Sequence, residues 1–418
     1  MEPVTLAQES ADLGGFYVPV FDITVEGKGL PSYVLRDVTQ LTYKDNIKEL
    51  DSFELTVNNW DAETNSFKYV GSETAEALKD ASAESMRYRL FEPCQKEVIV
   101  SMGYGDYLRV MLTGTFTTME PNFPSGGAPT LAVRGLNVLH QLRRKQYTYS
   151  WENKTDSQIA EDIATLKDKD TKKNRFPLKV ETDPQVQEPT LTYLAQKNQY
   201  DIDFLLARAR ARGYVVFIIE ADPDVQGSEK RLYFGPSESV ARLFPGSARL
   251  VRGGGARDVT FELEWGRSLI EFKPTLTTAN QIKSVTVNGW DRKKKEKISE
   301  TVTLDDPKLN RNEDLYEVLQ KCDPREECVV DEPVFTKDEA KKRALAILND
   351  RQKEMVKATG TTVGLPDLRA GKLIQLKGLG ARFSGTYFVT ETTHTIGPSG
   401  YTTKFGARRE DAGGGETA

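Results

Sequence analysis

From Phe16 to about Lys145 the pattern of hydrophobic and polar side chains reads mostly as strands. In Phe53-Glu-Leu-Thr-Val57 the apolar residues take every second position, which buries one face of a strand and wets the other. Tyr17–Val25, Val34–Thr42, Ser52–Val57 and Glu97–Met102 carry β-branched and aromatic residues between Gly, Pro, Asn or Asp, and each is predicted as a strand. Between Asp61 and Phe91 the alternation gives way to a polar stretch rich in Ala, Ser and Glu, read as an insertion projecting from a β module.

From residue 147 to 250 the period lengthens. Thr155-Asp-Ser-Gln158 is a capping box, in which the Thr hydroxyl takes a first-turn amide and the Gln side chain reaches back, and Ile159, Ile163 and Leu166 continue it as a helical stripe. Thr190 is expected to start a second short helix through Leu191 and Leu194. Asp201 is expected to cap a third, lined by Ile202, Leu205, Leu206 and Ala209 and stopped by Gly213. Tyr214–Ile219 reads as a buried strand, hairpinned to Arg231–Phe234. Gly253-Gly-Gly255 then forms a junction, and β pattern returns from about Thr260. It is interrupted at about 305–360 by a helix with a second capping box, Thr336-Lys-Asp-Glu339. Ala340, Ala344, Ile347 and Leu348 form its buried stripe, and Gly360 is expected to end it. Leu373–Leu376 and Tyr387–Thr390 are the closing strands, and residues 411–418 read as a tail.

The two β-rich stretches share landmarks. Leu55-Thr-Val-Asn-Asn-Trp-Asp61 returns as Val285-Thr-Val-Asn-Gly-Trp-Asp291, identical at five of seven positions. Met102-Gly-Tyr-Gly105, Gly114-Thr-Phe116 and Pro124-Ser-Gly126 are answered in order by Lys377-Gly-Leu-Gly380, Gly385-Thr-Tyr387 and Pro398-Ser-Gly400. The expected organisation is therefore a β module at 1–146 with an insertion at about 62–91 and a small α/β domain at 147–252. A second copy of the module follows at 253–410, with the helical insertion at about 305–360, and then the flexible tail.

Composition narrows the function more than the fold. With 57 basic and 62 acidic residues the net charge is −5, too mild for a dedicated nucleic-acid binder. No stretch approaches the roughly 18 apolar residues of a membrane span, and the first thirty residues show no secretion signal. Cys94 stands alone. Cys322 and Cys328 bracket a charged loop, as a loop disulfide or as two thiols; the missing export signal favours thiols. His140 and His394 are remote from that pair, so no metal site and no cofactor is expected.

His394, in Glu391-Thr-Thr-His-Thr395, would lie on the opposite strand face from Glu391, which gives no triad. Asp201 and Asp203 form the sharpest acid pair, yet acids at a helix start cap amides and suit the dipole. Asp305-Asp306-Pro307 reads as a turn. Arg292-Lys-Lys-Lys-Glu-Lys297, after Asp291, lacks interleaved aromatics for stacking bases and reads as a solvated or protein-facing patch. Arg208, Arg210 and Arg212 read as solvated helix surface, and Gly103-Tyr-Gly105 lacks the rest of a dinucleotide fingerprint. Trp60 and Trp290 are expected to pack at strand ends. No catalytic, cofactor-binding or metal residue is assigned.

Gln196-Lys-Asn-Gln-Tyr-Asp-Ile-Asp-Phe-Leu-Leu-Ala-Arg-Ala-Arg-Ala-Arg-Gly213 resembles a segment of the phage late control gene D proteins. Glu271-Phe-Lys-Pro-Thr-Leu276, Phe116-x-x-Met-Glu-Pro-Asn-Phe-Pro124, the Val285–Asp291 segment and Gly385-Thr-Tyr-x-Val-Thr-x-x-x-His394 resemble that family too, so the resemblance spans about 15–409. It implies a mainly β, α+β fold with two homologous tube-protein-like β-barrel modules. It further implies a non-enzymatic baseplate hub of a contractile tail or injection system, related to the hub portion of VgrG-like proteins. Such a hub is a homotrimer with pseudo-six-fold symmetry that joins the hexameric inner tube, or its initiator proteins, to a trimeric spike. Tape measure and baseplate wedge proteins are further implied partners. It would be made in the cytoplasm, assembled into the baseplate, and meet a membrane only during injection. The alternatives are a tail-associated peptidoglycan hydrolase using Asp201 and Asp203, and a carbohydrate-binding β protein.

Overall fold

The computed structural model describes residues 3–12, 15, 18–47, 49–80, 82–93, 96–176, 178–221, 229–236, 239, 260–292, 294–307, 309, 313–321, 325–330 and 334–409. Cys94, Cys322, the Gly253–Gly255 junction and the 411–418 tail lie outside the described residues.

The chain opens with β1 (Val4–Thr5), α1 (Leu6–Asp12), β2 (Pro19–Val25), β3 (Lys28–Gly29), α2 (Ser32–Asp37), β4 (Val38–Asn46) and β5 (Ser52–Asn58). A small hairpin, β6 (Trp60–Asp61) and β7 (Ser66–Phe67), and α3 (Ala83–Met86) precede β8 (Glu97–Tyr104), β9 (Tyr107–Asn122) and β10 (Thr130–Asn137). The middle region holds β11 (Gln146–Lys154), α4 (Asp156–Thr165), β12 (Lys179–Glu181), β13 (Leu191–Tyr200), α5 (Asp201–Arg212), β14 (Tyr214–Ile219) and β15 (Arg231–Pro236). Then come β16 (Phe261–Glu264), β17 (Leu269–Leu276), β18 (Ile282–Asp291), β19 (Glu296–Thr303), α6 (Glu313–Gln320), β20 (Arg325–Val329) and α7 (Lys337–Lys353). The last elements are β21 (Val356–Val363), β22 (Leu373–Lys377), α8 (Gly380–Phe383), β23 (Gly385–Gly397) and β24 (Gly400–Arg409).

The fold is mainly β, with one large mixed sheet that contains the same wiring twice. In the first set β2 pairs β8, β8 pairs β9, β9 pairs β10, β10 pairs β5 and β5 pairs β4. In the second, β16 pairs β22, then β23, β24, β21 and β17 follow in the same order. The one difference in sense is the first pairing, antiparallel for β2 with β8 and parallel for β16 with β22. Each set closes over its own core. Ile23, Tyr43, Leu55, Val100 and Leu112 meet in the first, and Leu263, Val356, Ile374, Tyr387 and Phe405 in the second.

This duplication corrects the sequence reading at one landmark. The Gly114 and Pro124 landmarks in β9 and its hairpin do match those in β23 and its hairpin. The Val285–Asp291 heptad, however, lies in β18, which pairs β19 and β20 in a separate three-stranded sheet under α7. The true counterpart of β5 is β21. Alternating apolar residues ending in a Trp-Asp turn describe many strand ends, so the heptad match carried no positional information. Gly360 accordingly lies within β21, and α7 stops at Lys353.

Local rules explain most of the rest. Both capping boxes form, at Thr155 with Gln158 and at Thr336 with Glu339, and Gly213 ends α5 in the left-handed region at φ 71°. Three stretches depart from expectation. Residues 191–200 are β13, paired with β11, because Thr192, Tyr193 and Tyr200 suit a strand that a neighbour can complete. Residues 32–37 form α2, which drops Val34 into the first core. The 62–91 segment does not simply project: Tyr69 and Phe91 are buried in the first core, and the buried Asn59 side chain accepts from the Tyr69 and Val70 amides.

Gly114 sits where β9 crosses the end of β10, and a Cβ there would lie 1.9 Å from the Leu136 carbonyl oxygen. Gly114→Ala should lower unfolding free energy by about 1–3 kcal/mol, because backbone has to move. Gly126→Ala, with nothing within 4 Å, should stay within about 0.5 kcal/mol. Urea titration of the full-length variants checks the contrast.

Candidate functional site at the joint between the two strand sets

The two sets are joined by one long strand. On one side β23 runs along β24 from Tyr387 to Gly397. On the other it pairs β22 at Leu376 to Leu373 through Gly385–Phe388, then passes to β4 of the first set through Glu391–Ile396. The change of partner falls at a register shift between Val389 and Glu391, where an extra residue bends the strand. Ile396 and Tyr401, from the far end of the β23–β24 hairpin, therefore pack in the first core rather than the second.

A buried polar network locks this joint. Asp45 of β4 accepts from Arg369 Nε at 2.7 Å, from the Ala370 amide at 3.2 Å and from the Thr392 amide at 3.1 Å, and the Thr392 hydroxyl also donates to it. Arg369 donates to the Tyr43 hydroxyl and to the Met111 carbonyl at 2.8 Å, and stacks its guanidinium 4.7 Å from the Tyr43 ring centre. Asp367 accepts from Arg109 Nε at 3.1 Å and from the Tyr107 hydroxyl at 2.6 Å. The 364–371 loop of the second set is thus pinned to β4 and β9 of the first. A cavity of about 130 Å³ adjoins the network, lined by Asp51, Arg109, Phe217, Glu220, Asp367 and Arg369 among others.

His394 belongs to this lock. Nδ1 lies 3.0 Å from the Tyr401 hydroxyl and Nε2 3.0 Å from the Leu368 carbonyl, and the ring is fully buried. Burial pushes its pKa down to about 4, so the imidazole is neutral and bridges β23, β24 and the 364–371 loop. Glu391 faces solvent, on the opposite strand face, as the spacing predicts. Asp51 lies at the other end of the network, accepting from Asn137 Nδ2 at 2.9 Å; burial, and then the neighbouring Asp45, push its pKa up to about 7.

The other face of the joined sheet is polar. Thr42 and Lys44 of β4, Thr393 and Thr395 of β23 and Lys404 of β24 point away from the cores. Arg134 of β10 bridges Glu54 and Glu120 on this side at 2.8 and 2.7 Å.

The remaining sequence candidates are scattered. Asp201 is buried and is the first residue of α5 rather than its cap; it accepts from Gln196 Nε2 at 2.7 Å. Asp203 is exposed and pairs with Arg143 at 3.0 Å, so the two acids face different surroundings. Arg208 and Arg212 are not solvated helix surface. Four residues apart on α5, they converge on the buried Asp156 in the first turn of α4, at 2.6 and 2.5 Å. Asp156 gave no sequence signal beyond its place in the capping box. Asp306 lies in a turn, accepting from Lys341 at 3.3 Å. Asp291 accepts from the Lys294 amide in the hairpin that carries the basic run, and Arg292 stacks on Phe335. Trp60 is half-buried against Phe67, but Trp290 is 53% exposed, contrary to the packing expectation. Cys328 is an exposed thiol that accepts from Asn288. Gly103 and Gly105 serve the β8–β9 turn. No group of acids, histidines and cysteines suited to a metal occurs among the described residues, and no described helix is long and apolar enough to cross a membrane.

Comparison with known proteins bears on the fold. A family profile described as the Alg8 N-terminal domain matches residues 250–397. No curated protein matches the chain. Among solved structures, the prophage MuSo2 43 kDa tail protein from Shewanella oneidensis aligns with a TM-score of 0.61 at 15% identity, covering 94% of this chain and 99% of that one. The tail protein from Neisseria meningitidis MC58 gives 0.59 at 13% identity, covering 94% and 97%. The E. coli c3393 protein gives 0.54 at 13% identity, covering 95% and 79%; it is a type VI secretion component described as similar in structure to T4 tail proteins gp27 and gp5. The chain shares the fold of these tail and secretion proteins over nearly its whole length.

Removing one partner of a buried pair strands the other charge. Arg369→Met is expected to cost about 3–5 kcal/mol on that ground, with Asp45→Asn/Arg369→Met costing less than the sum of the single changes. Denaturant unfolding of the three variants measures the coupling. Asp51 makes a pH prediction: it keeps its proton to about 7 in the fold and loses it near 3.8 when unfolded. Its contribution to stability therefore falls as pH rises between those values. Asp51→Asn should gain on the parent protein by more than about 1 kcal/mol from pH 4.5 to 7.5; an unchanging difference would contradict the assignment.

Proposed function

We propose that this chain is a non-enzymatic baseplate hub, a homotrimer that adapts a hexameric inner tube to a trimeric spike in a phage tail or contractile injection system. One observation carries the reading: the chain holds two strand sets that pair in the same order, joined edge to edge. Three copies then present six similar units, which a six-fold tube can meet, while every other feature repeats three times. In this reading 1–146 and 253–410 are the tube-like modules. The 147–252 α/β domain and the insertion after β17 build three-fold contacts and the outer surface.

The shared fold with tail proteins and a type VI secretion component supports the class of machine. The tube or its initiator would stack on one face of the ring and the spike on the other, with tape measure and wedge proteins as further contacts. The polar face rich in Thr and Lys suits a water-filled lumen. Assembly takes place in the baseplate, and contact with a membrane is confined to injection. An obligate interface of this kind buries more than about 2,000 Å².

Mass photometry of the purified full-length chain should show a species near 140 kDa, three times 46.8 kDa, persisting at micromolar concentration. A monomer alone under those conditions would overturn the hub reading.

A further inference from the structure

The polar 62–91 segment, which the sequence sets apart from the alternating strands, helps to wall a cavity of about 360 Å³ that the proposed hub role leaves unused. Three pieces of the first module meet there. Tyr33, Arg36 and Asp37 come from α2; Asp61 ends β6, and Lys68 and Tyr69 follow β7. Arg87 comes from the single turn Arg87–Arg89. The cavity is of a size that small molecules occupy.

The acids of this cavity already have partners. Asp37 accepts from Lys68 Nζ at 2.5 Å and from the Tyr69 hydroxyl at 2.7 Å, a brace that ties α2 to the segment after β7. Asp61 accepts from the Glu63 amide at 3.0 Å and from the Thr64 hydroxyl at 2.8 Å within its own turn. The two guanidinium groups are less occupied. Arg36 donates to the Ser32 carbonyl at 3.3 Å, one turn back on its own helix. Arg87 Nη2 donates to the Tyr88 hydroxyl at 2.8 Å, while its Nε is buried with no partner among the described residues. Neither arginine forms an ion pair among the described residues. Two like charges therefore line one cavity without a counter-charge of their own.

We propose that this cavity binds a sugar acid, a ring that carries one carboxylate and several hydroxyl groups. Arg36 and Arg87 take the carboxylate, which matches a guanidinium fork, supplies the counter-charge and gives the buried Nε an acceptor. Each oxygen of Asp37 and Asp61 accepts one hydrogen bond inside the protein and keeps a lone pair for a ligand hydroxyl. Tyr33, 56% exposed at the rim, offers a ring face to the C–H side of the sugar. The same two acids disfavour a bare phosphate, whose double charge they repel and which brings few hydrogens to donate. A neutral sugar would leave both guanidinium groups unpaired. The inference does not rest on the hub reading.

Isothermal titration calorimetry on the full-length chain tests it, with D-glucuronate, N-acetylneuraminate and N-acetylmuramate as probes and D-glucose and inorganic phosphate as controls. At least one sugar acid should bind saturably, with both controls roughly ten-fold weaker or undetected. Arg36→Gln and Arg87→Gln should each weaken that binding roughly ten-fold, as expected for the loss of a charge-assisted hydrogen bond. Arg36 is exposed, so Arg36→Gln leaves the fold intact and keeps the test decisive if Arg87→Gln lowers stability. Uptake of none of the three acids, tighter binding of phosphate than of any of them, or binding indifferent to both substitutions would overturn the proposal. None of these outcomes bears on the number of copies in the assembly, so the hub reading stands or falls separately.

Discussion

A single strand answering to two neighbours is the constraint on which the architecture depends. β23 could have ended where β22 ends; it continues past a bulge and becomes an outer strand for the first set. Two strand sets that would otherwise be tethered by a linker become parts of one sheet with a fixed relative position. The Asp45–Arg369 pair enforces this, because Asp45 is buried, Arg369 is largely withdrawn from water, and only the joined geometry satisfies them. A hydrophobic contact in the same place would hold the sets together without fixing their register. The directed hydrogen bonds of a carboxylate and a guanidinium, each shared among several partners, do fix it.

That lock also explains why His394 and Asp51 depart from their ordinary titration ranges. His394 is held neutral between a carbonyl and a hydroxyl, and Asp51 is pushed toward its protonated form by burial beside a second acid. In an enzyme such shifts often mark catalytic groups. Here each shift follows from threading a polar cluster through the seam between two β cores. Their pH effects oppose one another below neutrality: the histidine favours the fold as pH rises through its window and Asp51 disfavours it.

Much of the fold was legible from local rules. Alternation located β5 and β8, two capping boxes located α4 and α7, and Gly213 located the end of α5. The matched Gly and Pro-Ser-Gly landmarks correctly paired the β9–β10 hairpin with the β23–β24 hairpin. What misled was the richest-looking match: the Trp-Asp heptads lie in different sheets, because strand-end chemistry repeats without common descent of position. The lock itself was illegible. Asp45 lies more than three hundred residues of chain from both Arg369 and Thr392, and nothing near any of them signals burial. Arg208 and Arg212 were misread for the same reason, since their partner Asp156 lies on another helix. Residues 191–200 went to a strand because β11 was there to complete it, a tertiary choice that propensity alone could not make.

In the proposed hub, three copies of one chain arrange six like units around an axis. A cryo-electron microscopy reconstruction of the purified protein, computed without imposed symmetry, tests this most directly. It should show a ring whose inner band repeats six times at low resolution and whose periphery repeats three times, with β23 crossing continuously from one unit to the next. Two strand sets lying apart with solvent between β23 and β4, or particles without an axis, would contradict it.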